Sequence, residues 1–305
     1  MNGPHNDVKV AAMQLASEVV NSSAHEATRR SPVPPAPRLK KPSKARGWLL
    51  DLWRPVVFVV ILFGAWWMVT ENGWVAPYIL PSPVDTWTTM VENAAYLGSH
   101  TWVTTIETII GFAIAVVIGE LVAVLMIYSK TIEKTAYPLI LFAQVIPKIA
   151  VAPLFVVWLG FGMEPKIVVA VLMAFFPIVV SGMAGLKSVD PEILELTSTM
   201  GASSIKTFLK VRLPASLPQL FSGLKVAATL AVTGAVVGEF VGANEGLGYV
   251  ILQANGNIDT GMLFAALIIM SLMGVLLFAL IQIAEWFLIP WHSSRRITGS
   301  AATAG

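Results

Sequence analysis

Six separate stretches of this chain are each apolar and long enough to cross a bilayer, which takes about 20 consecutive residues in a helix. They run over about 55–74, 105–127, 137–161, 166–185, 217–241 and 262–289. In hydrocarbon every backbone N–H and C=O must be bonded within its own segment, so each stretch is predicted to be a helix. The expected fold class is therefore all-α, a polytopic membrane protein of about six transmembrane helices. Pro147 and Pro153 interrupt the third stretch, which is expected to kink or split. Composition agrees: 56% of residues are hydrophobic and 12% charged, where a soluble domain carries roughly a quarter charged residues. The chain has no cysteine, which excludes disulfide scaffolds, thiolate metal sites and cysteine nucleophiles. The histidines, His5, His25, His100 and His292, are scattered, and no imidazole metal cluster is expected.

Lys and Arg in the connections set the expected orientation. Positive charge is dense before the first span, from Lys9 to Arg54. It returns at Lys130 and Lys134, at Lys187, Lys206, Lys210 and Arg212, and at Arg295 and Arg296. The connections over 75–104 and 242–261 have none, and Lys166 alone sits at an outer span end. This alternation places both termini in the cytoplasm. Residues 1–47, with a Pro-rich run at 31–37 followed by basic residues, are expected to be a disordered cytoplasmic tail near anionic lipid. The membrane domain is expected over 48–292 and a cytoplasmic C-terminal tail over 293–305. Trp53, Trp66, Trp67, Trp74, Trp102, Trp286 and Trp291 fall near span ends, where amphipathic rings suit the headgroup layer. Membrane lipid is thus an expected partner, and nucleic acid is not.

The connection over about 186–216 has helical grammar of its own. Asp190-Pro191-Glu192 is a helix start with an N-cap, a first-turn proline and acids near the positive end of the dipole. Ile193, Leu194, Leu196 and Met200 follow at helical spacing, and Gly201 breaks the run. A second short helix is predicted over 203–213, with Phe208 and Val211 on one face, closed by Pro214. A helical hairpin this short cannot bury an apolar face alone, so either the protein's own spans or a partner must cover it.

Glu195-Leu196-Thr197, three residues, Gly201, nine residues and Val211-Arg-Leu-Pro214 have the spacing of the cytoplasmic signature of ABC-importer permeases. Leu196 and Thr197 stand where that signature has two alanines. The chain from about 55 to 291 also resembles the nitrate/sulfonate/taurine-type permease family, the binding-protein-dependent inner-membrane components. The resemblance lies in Leu80-Pro-Ser-Pro83, Ile146-Pro-Lys-Ile-Ala-Val-Ala-Pro153, Trp158-Leu-Gly-Phe-Gly162, Phe176-Pro177, Gly185-Leu-Lys-Ser-Val-Asp-Pro191 and Glu239-Phe-Val-Gly-Ala-Asn-Glu-Gly-Leu-Gly-Tyr249. It implies a type I importer fold whose 186–216 loop forms coupling helices on a separate cytoplasmic ABC ATPase subunit. It implies further partners, an extracytoplasmic solute-binding protein and a second permease copy, most simply as a homodimer. Carried onto this sequence, the coupling residues are Glu195, Gly201 and Pro214, with Ser203, Ser204 and Phe208 as partner contacts. The implied location is a bacterial inner membrane.

Other motifs have plainer readings beside functional ones. Gly201-Ala-Ser-Ser-Ile-Lys206-Thr207 lacks the glycine before lysine, and no buried strand precedes it, so no phosphate cradle is expected. ATP therefore belongs to the partner subunit and this chain binds no cofactor. No HExxH, GxSxG or catalytic Asp pair is present, so the chain is not expected to be an enzyme. Carboxyls inside spans are expensive and face protein or water. Glu107 and Glu285 are expected to snorkel toward an interface, and Glu120 to be a buried hydrogen-bonded group or part of the path. Glu239 either braces an outer gate or lines the path. Gly246, Gly248 and Tyr249, before Ala254-Asn-Gly-Asn257, suggest an outer hairpin or re-entrant gate element. Gly238, Gly242 and Gly246, four apart, permit close helix approach, inside the bundle or between permease copies. Met173, Phe175, Phe176 and Met183 face lipid, the bundle or a path. The 237–256 run and Leu263-Phe-Ala-Ala-Leu267 resemble the vitamin branch, which implies riboflavin or a thiamine-precursor pyrimidine as cargo. Nitrate, taurine and alkyl sulfonates are the alternative cargoes, and a regulated membrane channel is the remote alternative to an importer.

Overall fold

The computed structural model describes the backbone of residues 44–290 and the side chains of residues 53–290. The expected tails therefore lie outside the described residues, apart from 44–47, which are helical. The chain divides into two compact units, one ending at Val60 and the other beginning at Ile61. Everything that follows belongs to the second, except that helix α1 (Lys44–Glu71) begins in the first.

Among the described residues all regular structure is helical. After α1 come α2 (Pro83–Glu92), α3 (Ala94–Tyr128), α4 (Lys130–Val145), α5 (Lys148–Leu159) and α6 (Glu164–Lys187). Then follow α7 (Pro191–Thr199), α8 (Ser204–Thr207), a π turn (Phe208–Arg212), α9 (Leu213–Gly242), α10 (Leu247–Gly256) and α11 (Thr260–Leu288). Among the described residues five helices are long and apolar enough to cross a membrane, or six if α4 and α5 together make one bent span. That pair bends by 95° at Ile146-Pro147, where the proline withholds a backbone donor. Both interfering prolines of the third stretch are thereby placed: one at the break, the other, Pro153, inside α5.

The helix α6 is the centre of the bundle, flanked by α3 and α9 along most of its length. Small residues make this possible. A Cβ on Gly111 of α3 would lie 2.6 Å from Ala170 Cβ, and one on Gly234 of α9 would lie 2.7 Å from Ala170 Cα. At Ala170 the central helix is thus gripped from both sides by glycines, the small-residue packing expected of helices in lipid. Core clusters around Ala115, Ile178 and Ala231 and around Met126, Val179 and Met183 continue the same seams. A Gly234→Leu substitution is expected to abolish assembly of the bundle, read as loss of the monodisperse peak on size exclusion in detergent. The three spaced glycines act inside the chain: Gly238 abuts the Lys166 backbone, Gly242 the Phe161 ring and Gly246 the Glu239 carboxyl.

Two features depart from expectation. The connection over 75–104 is not bare loop, since it holds α2 and the start of α3, residues 94–104. And Pro214 closes nothing: 204–242 runs on as one helical path of 39 residues. The π turn explains it. Leu213 N–H bonds to the Phe208 carbonyl, five residues back, and this wider turn gives room for the proline ring, whose missing N–H then falls at the start of α9.

Candidate functional site

Two constellations stand at opposite ends of α9. At its start lies the α7 elbow. Asp190 caps α7, its Oδ1 accepting from Glu192 N–H at 3.2 Å, with Pro191 in the first turn. The helix ends in a Schellman motif: Ala202 N–H donates to Thr197 O and Gly201 N–H to Ser198 O, both at 3.0 Å. Such an ending needs a residue in the left-handed region, and Gly201 has φ +72°. Ser203 then caps the next helix, its Oγ accepting from Lys206 N–H at 3.4 Å, and the chain turns directly into α9. Between Lys187 and Leu213 the backbone leaves α6, makes a short helix, reverses at Gly201 and re-enters the bundle.

The elbow is tied down at its root and bare at its tip. At the root, Lys187 pairs with Glu133, and Arg212 Nη1 reaches the Leu186 carbonyl at 3.5 Å. The Phe208 ring, half-buried, stands 6.0 Å from that of Tyr128. At the tip Glu195, Gly201, Ser203 and Ser204 are exposed, and so are five large apolar residues: Ile193, Leu196, Met200 (77%), Ile205 (71%) and Leu209. The structure thus brings Glu195, Gly201, Ser203 and Ser204 onto one projecting feature, turns Phe208 back toward α3 and sets Pro214, half-buried, in the body.

At the other end of α9 is a polar lock that holds α10. The first N–H groups of a helix have no partner of their own. Here Gly246 N–H donates to His100 Nδ1 (2.9 Å), Leu247 N–H to Thr104 Oγ1 (2.8 Å) and Gly248 N–H to Glu239 Oε2 (2.5 Å). The Thr104 hydroxyl in turn donates to Glu239 Oε1 at 2.7 Å. Glu239, 1% exposed, therefore spends both oxygens on this lock. Gly248 is required by close approach, because a Cβ there would stand 2.8 Å from that of Glu239. Tyr249 lies with its ring 5.8 Å from His100, and Tyr96 OH donates to Gln253 Oε1 at 2.8 Å, which fastens the rest of α10 to α3.

Beneath the lock, Lys166 Nζ pairs with Glu107 Oε1 at 2.9 Å, with side-chain exposures of 8% and 0%. Glu107 does not snorkel, because the cation it needs is buried beside it. The cation meets Glu107 Oε1, and Glu107 Oε2 is buried with no protein donor. Removing one member of a buried pair costs about 3–5 kcal/mol. Lys166→Met is accordingly expected to lower thermal stability severely, and Lys166→Met with Glu107→Leu to recover most of the loss. Detergent melts of the single and double variants check this.

Glu120 is on the same helix but 13 residues from Glu107, about 20 Å along the axis, and takes no part. Its carboxyl fills the space left by Gly182 of α6, and its Oε2 is buried without a protein donor. Glu285 pairs with Lys225 at 2.5 Å, joining α11 to α9. His100 and Thr104 escaped the sequence reading. The signal was there: His100, Thr104, Glu107 and Thr108 lie at helical spacing in line with Gly111, Ala115 and Gly119, so the buried face of α3 is polar at one end. Among the described residues no group of His, Asp and Glu side chains is arranged to hold a metal.

Comparison with known proteins places this architecture. Residues 111–287, more than half the chain, match the family of binding-protein-dependent transport system inner membrane components. The chain is 38% identical over 242 residues to a formylaminopyrimidine transport permease protein of Halalkalibacterium halodurans, across 79% of this chain and 96% of that one. It is 31% identical over 258 residues to an aliphatic sulfonates transport permease protein, named as putative, of Bacillus subtilis, across 84% and 92%. Its backbone is similar to the inward-facing MetNI methionine ABC transporter, with a TM-score of 0.54, 25% identity and coverage of 64% of this chain and 94% of that one. An all-helical bundle of five or six spans with these relatives is a multi-pass inner-membrane permease subunit of an ABC importer, and the chain belongs to the binding-protein-dependent transport family.

Proposed function

We propose that the α7 elbow couples this permease to a cytoplasmic ABC ATPase, and that the bundle carries a small neutral heterocycle delivered by an extracytoplasmic solute-binding protein. The observation that carries the coupling role is the bare apolar tip. Ile193, Leu196, Met200, Ile205 and Leu209 are exposed on a feature whose root is fixed by an ion pair, a hydrogen bond and ring packing. An apolar patch held out from a rigid base marks a docking surface. The surrounding Lys187, Lys206, Lys210 and Arg212 support a cytoplasmic side for this end and for both termini. ATP then closes the motor, the elbow transmits the movement as a lever, and two permease copies rock between inward- and outward-facing states. On this reading the chain itself has no catalytic residue and holds no cofactor.

In the same reading the lock around Glu239 braces the outer gate. Gly246, Gly248 and Tyr249 position α10 there, and Glu239 acts through the backbone rather than on the solute. Glu120, nearer the middle of the bundle, is the carboxyl left for the path.

A pyrimidine precursor of thiamine, or riboflavin, is the favoured cargo. The formylaminopyrimidine permease relative supports it, as does the absence of Lys and Arg from residues 75–104 and 242–261, which leaves nothing to attract an anion. The sulfonate permease relative supports the alternative, an alkyl sulfonate or taurine. The test is ATP-driven uptake by proteoliposomes holding permease, ATPase and binding protein. Uptake of the heterocycle without competition from taurine or sulfonates is expected. Uptake of the anions would overturn the cargo and leave the coupling standing.

Coupling makes a separate prediction. Leu196→Asp or Met200→Asp puts an unpaired charge where the ATPase docks, at a loss of at least about 3 kcal/mol, or roughly a hundredfold in affinity. Copurified ATPase should fall accordingly while the permease remains folded.

A further inference from the structure

Helix α2 has two apolar faces, and only one is used. Met90 packs into the cluster around Leu97, Leu247 and Ala265, and Thr86 is 2% exposed. On the other side Val84, Trp87 and Val91 are 57–66% exposed at helical spacing. The helix carries Asp85 and Glu92 and no basic residue. Just beyond it an open groove of about 290 Å³ runs between α3 and α11, lined by Met90, Leu97, Gly98, Trp102 and Ile269.

The groove is chemically unusual in offering almost nothing to a polar ligand. Its two hydroxyls are already spent: Thr101 donates to the Leu97 carbonyl at 2.6 Å, and Thr105 to the Thr101 carbonyl at 2.7 Å. Its floor is open at Gly98, where a Cβ would meet nothing within 4 Å. Its lip is Trp102, 66% exposed, an amphipathic ring of the kind that sits at headgroup depth. Along α3 and α11 the groove continues into Ile109, Ile110, Leu272, Val275 and Leu276, all exposed on helices that span the membrane. A surface continuous with lipid, whose hydroxyls are bonded within the chain and whose one indole N–H stands at the rim, fits a hydrocarbon chain.

We propose that this groove is a lipid site: it holds one acyl chain of a membrane phospholipid, while α2 lies in the headgroup layer above it with Val84, Trp87 and Val91 turned toward lipid. The site fixes the angle at which α2 and the start of α3 meet the membrane surface.

The protein in nanodiscs of phosphatidylethanolamine would be photolabelled with a phosphatidylethanolamine carrying a diazirine in its acyl chain, and labelled residues located by mass spectrometry. Label is expected at Met90, Trp102 and Ile269. Gly98→Leu fills the open floor and displaces about two methylenes of the acyl chain, which gives roughly a tenfold fall in that label. Label at Leu139 and Phe142, exposed on α4, which does not line the groove, should not change. Ala94→Leu, on the groove wall, provides the same test should the first variant assemble poorly. Equal label in wild type and both variants would overturn the proposal by showing ordinary annular lipid only. So would a Trp102→Cys variant that cross-links efficiently to a second copy, because a protein would then occupy the groove.

Discussion

A Gly201→Asp variant is expected to reach the membrane at the wild-type level and to lose uptake. The two halves of that result have different causes. A side chain on Gly201 meets nothing within 4 Å, so the fold accommodates one. Its φ of +72° is a conformation that asparagine and aspartate tolerate better than other residues, at about 1–2 kcal/mol. What the variant cannot do is present an unchanged elbow, because the new charge sits between Met200 and Ile205, both exposed apolar residues of the proposed docking tip. Uptake below about a tenth of wild type follows from a loss of only 1.4 kcal/mol in that contact. Gly201→Ala adds the backbone strain without the charge and should keep part of the transport. Uptake in cells, normalised to permease in the membrane fraction, compares the two. Normal uptake by the aspartate variant would remove Gly201 from the coupling role.

Glu239→Ala is the second large effect, and it falls on stability. The substitution leaves the Gly248 N–H without an acceptor in a buried site, at about 1–3 kcal/mol, turns the Thr104 hydroxyl to the longer bond with the His100 carbonyl at 3.2 Å, and opens a cavity where the side chain was, at about 2 kcal/mol more. At roughly 2–4 °C per kcal/mol for a domain of this size, the melting temperature in detergent should fall by about 10 °C. His100→Ala removes one acceptor, that of Gly246 N–H, and should cost less than half as much. Glu239→Gln keeps one oxygen and is expected to lie between. A Glu239→Ala protein that melts normally but transports nothing would instead mean that the carboxyl acts on the solute.

The spans were written plainly in the sequence because hydrocarbon tolerates one answer, a continuous helix with satisfied backbone. The elbow was legible in its beginning and its turn, since Asp190, Pro191 and Gly201 act through local backbone chemistry. Its end was not, because Pro214 is a stop signal only where the preceding turn is an ordinary one, and no local residue pattern announces the π turn at Phe208–Arg212. Helix α2 had a local signal that went unread: Ser82 caps it, accepting from Asp85 N–H at 3.0 Å and donating to the Asp85 carboxyl at 2.7 Å, with Pro83 in the first turn. The lock around Glu239 was half legible. Glu239 and its glycines stand close in sequence, but His100 and Thr104 lie more than 130 residues away, and only the folded bundle joins them.

The account rests on the elbow meeting a motor, and the absence of cysteine from the chain makes that directly measurable. A single Met200→Cys, at a side chain 77% exposed, can be cross-linked in membranes to the ATPase subunits of the assembled importer. The account predicts a permease–ATPase product at this position and none from a cysteine at Trp87, on the opposite end of the bundle. A Met200 cysteine that yields no such product in an importer actively hydrolysing ATP, or that is labelled in intact cells by an impermeant maleimide, would contradict it.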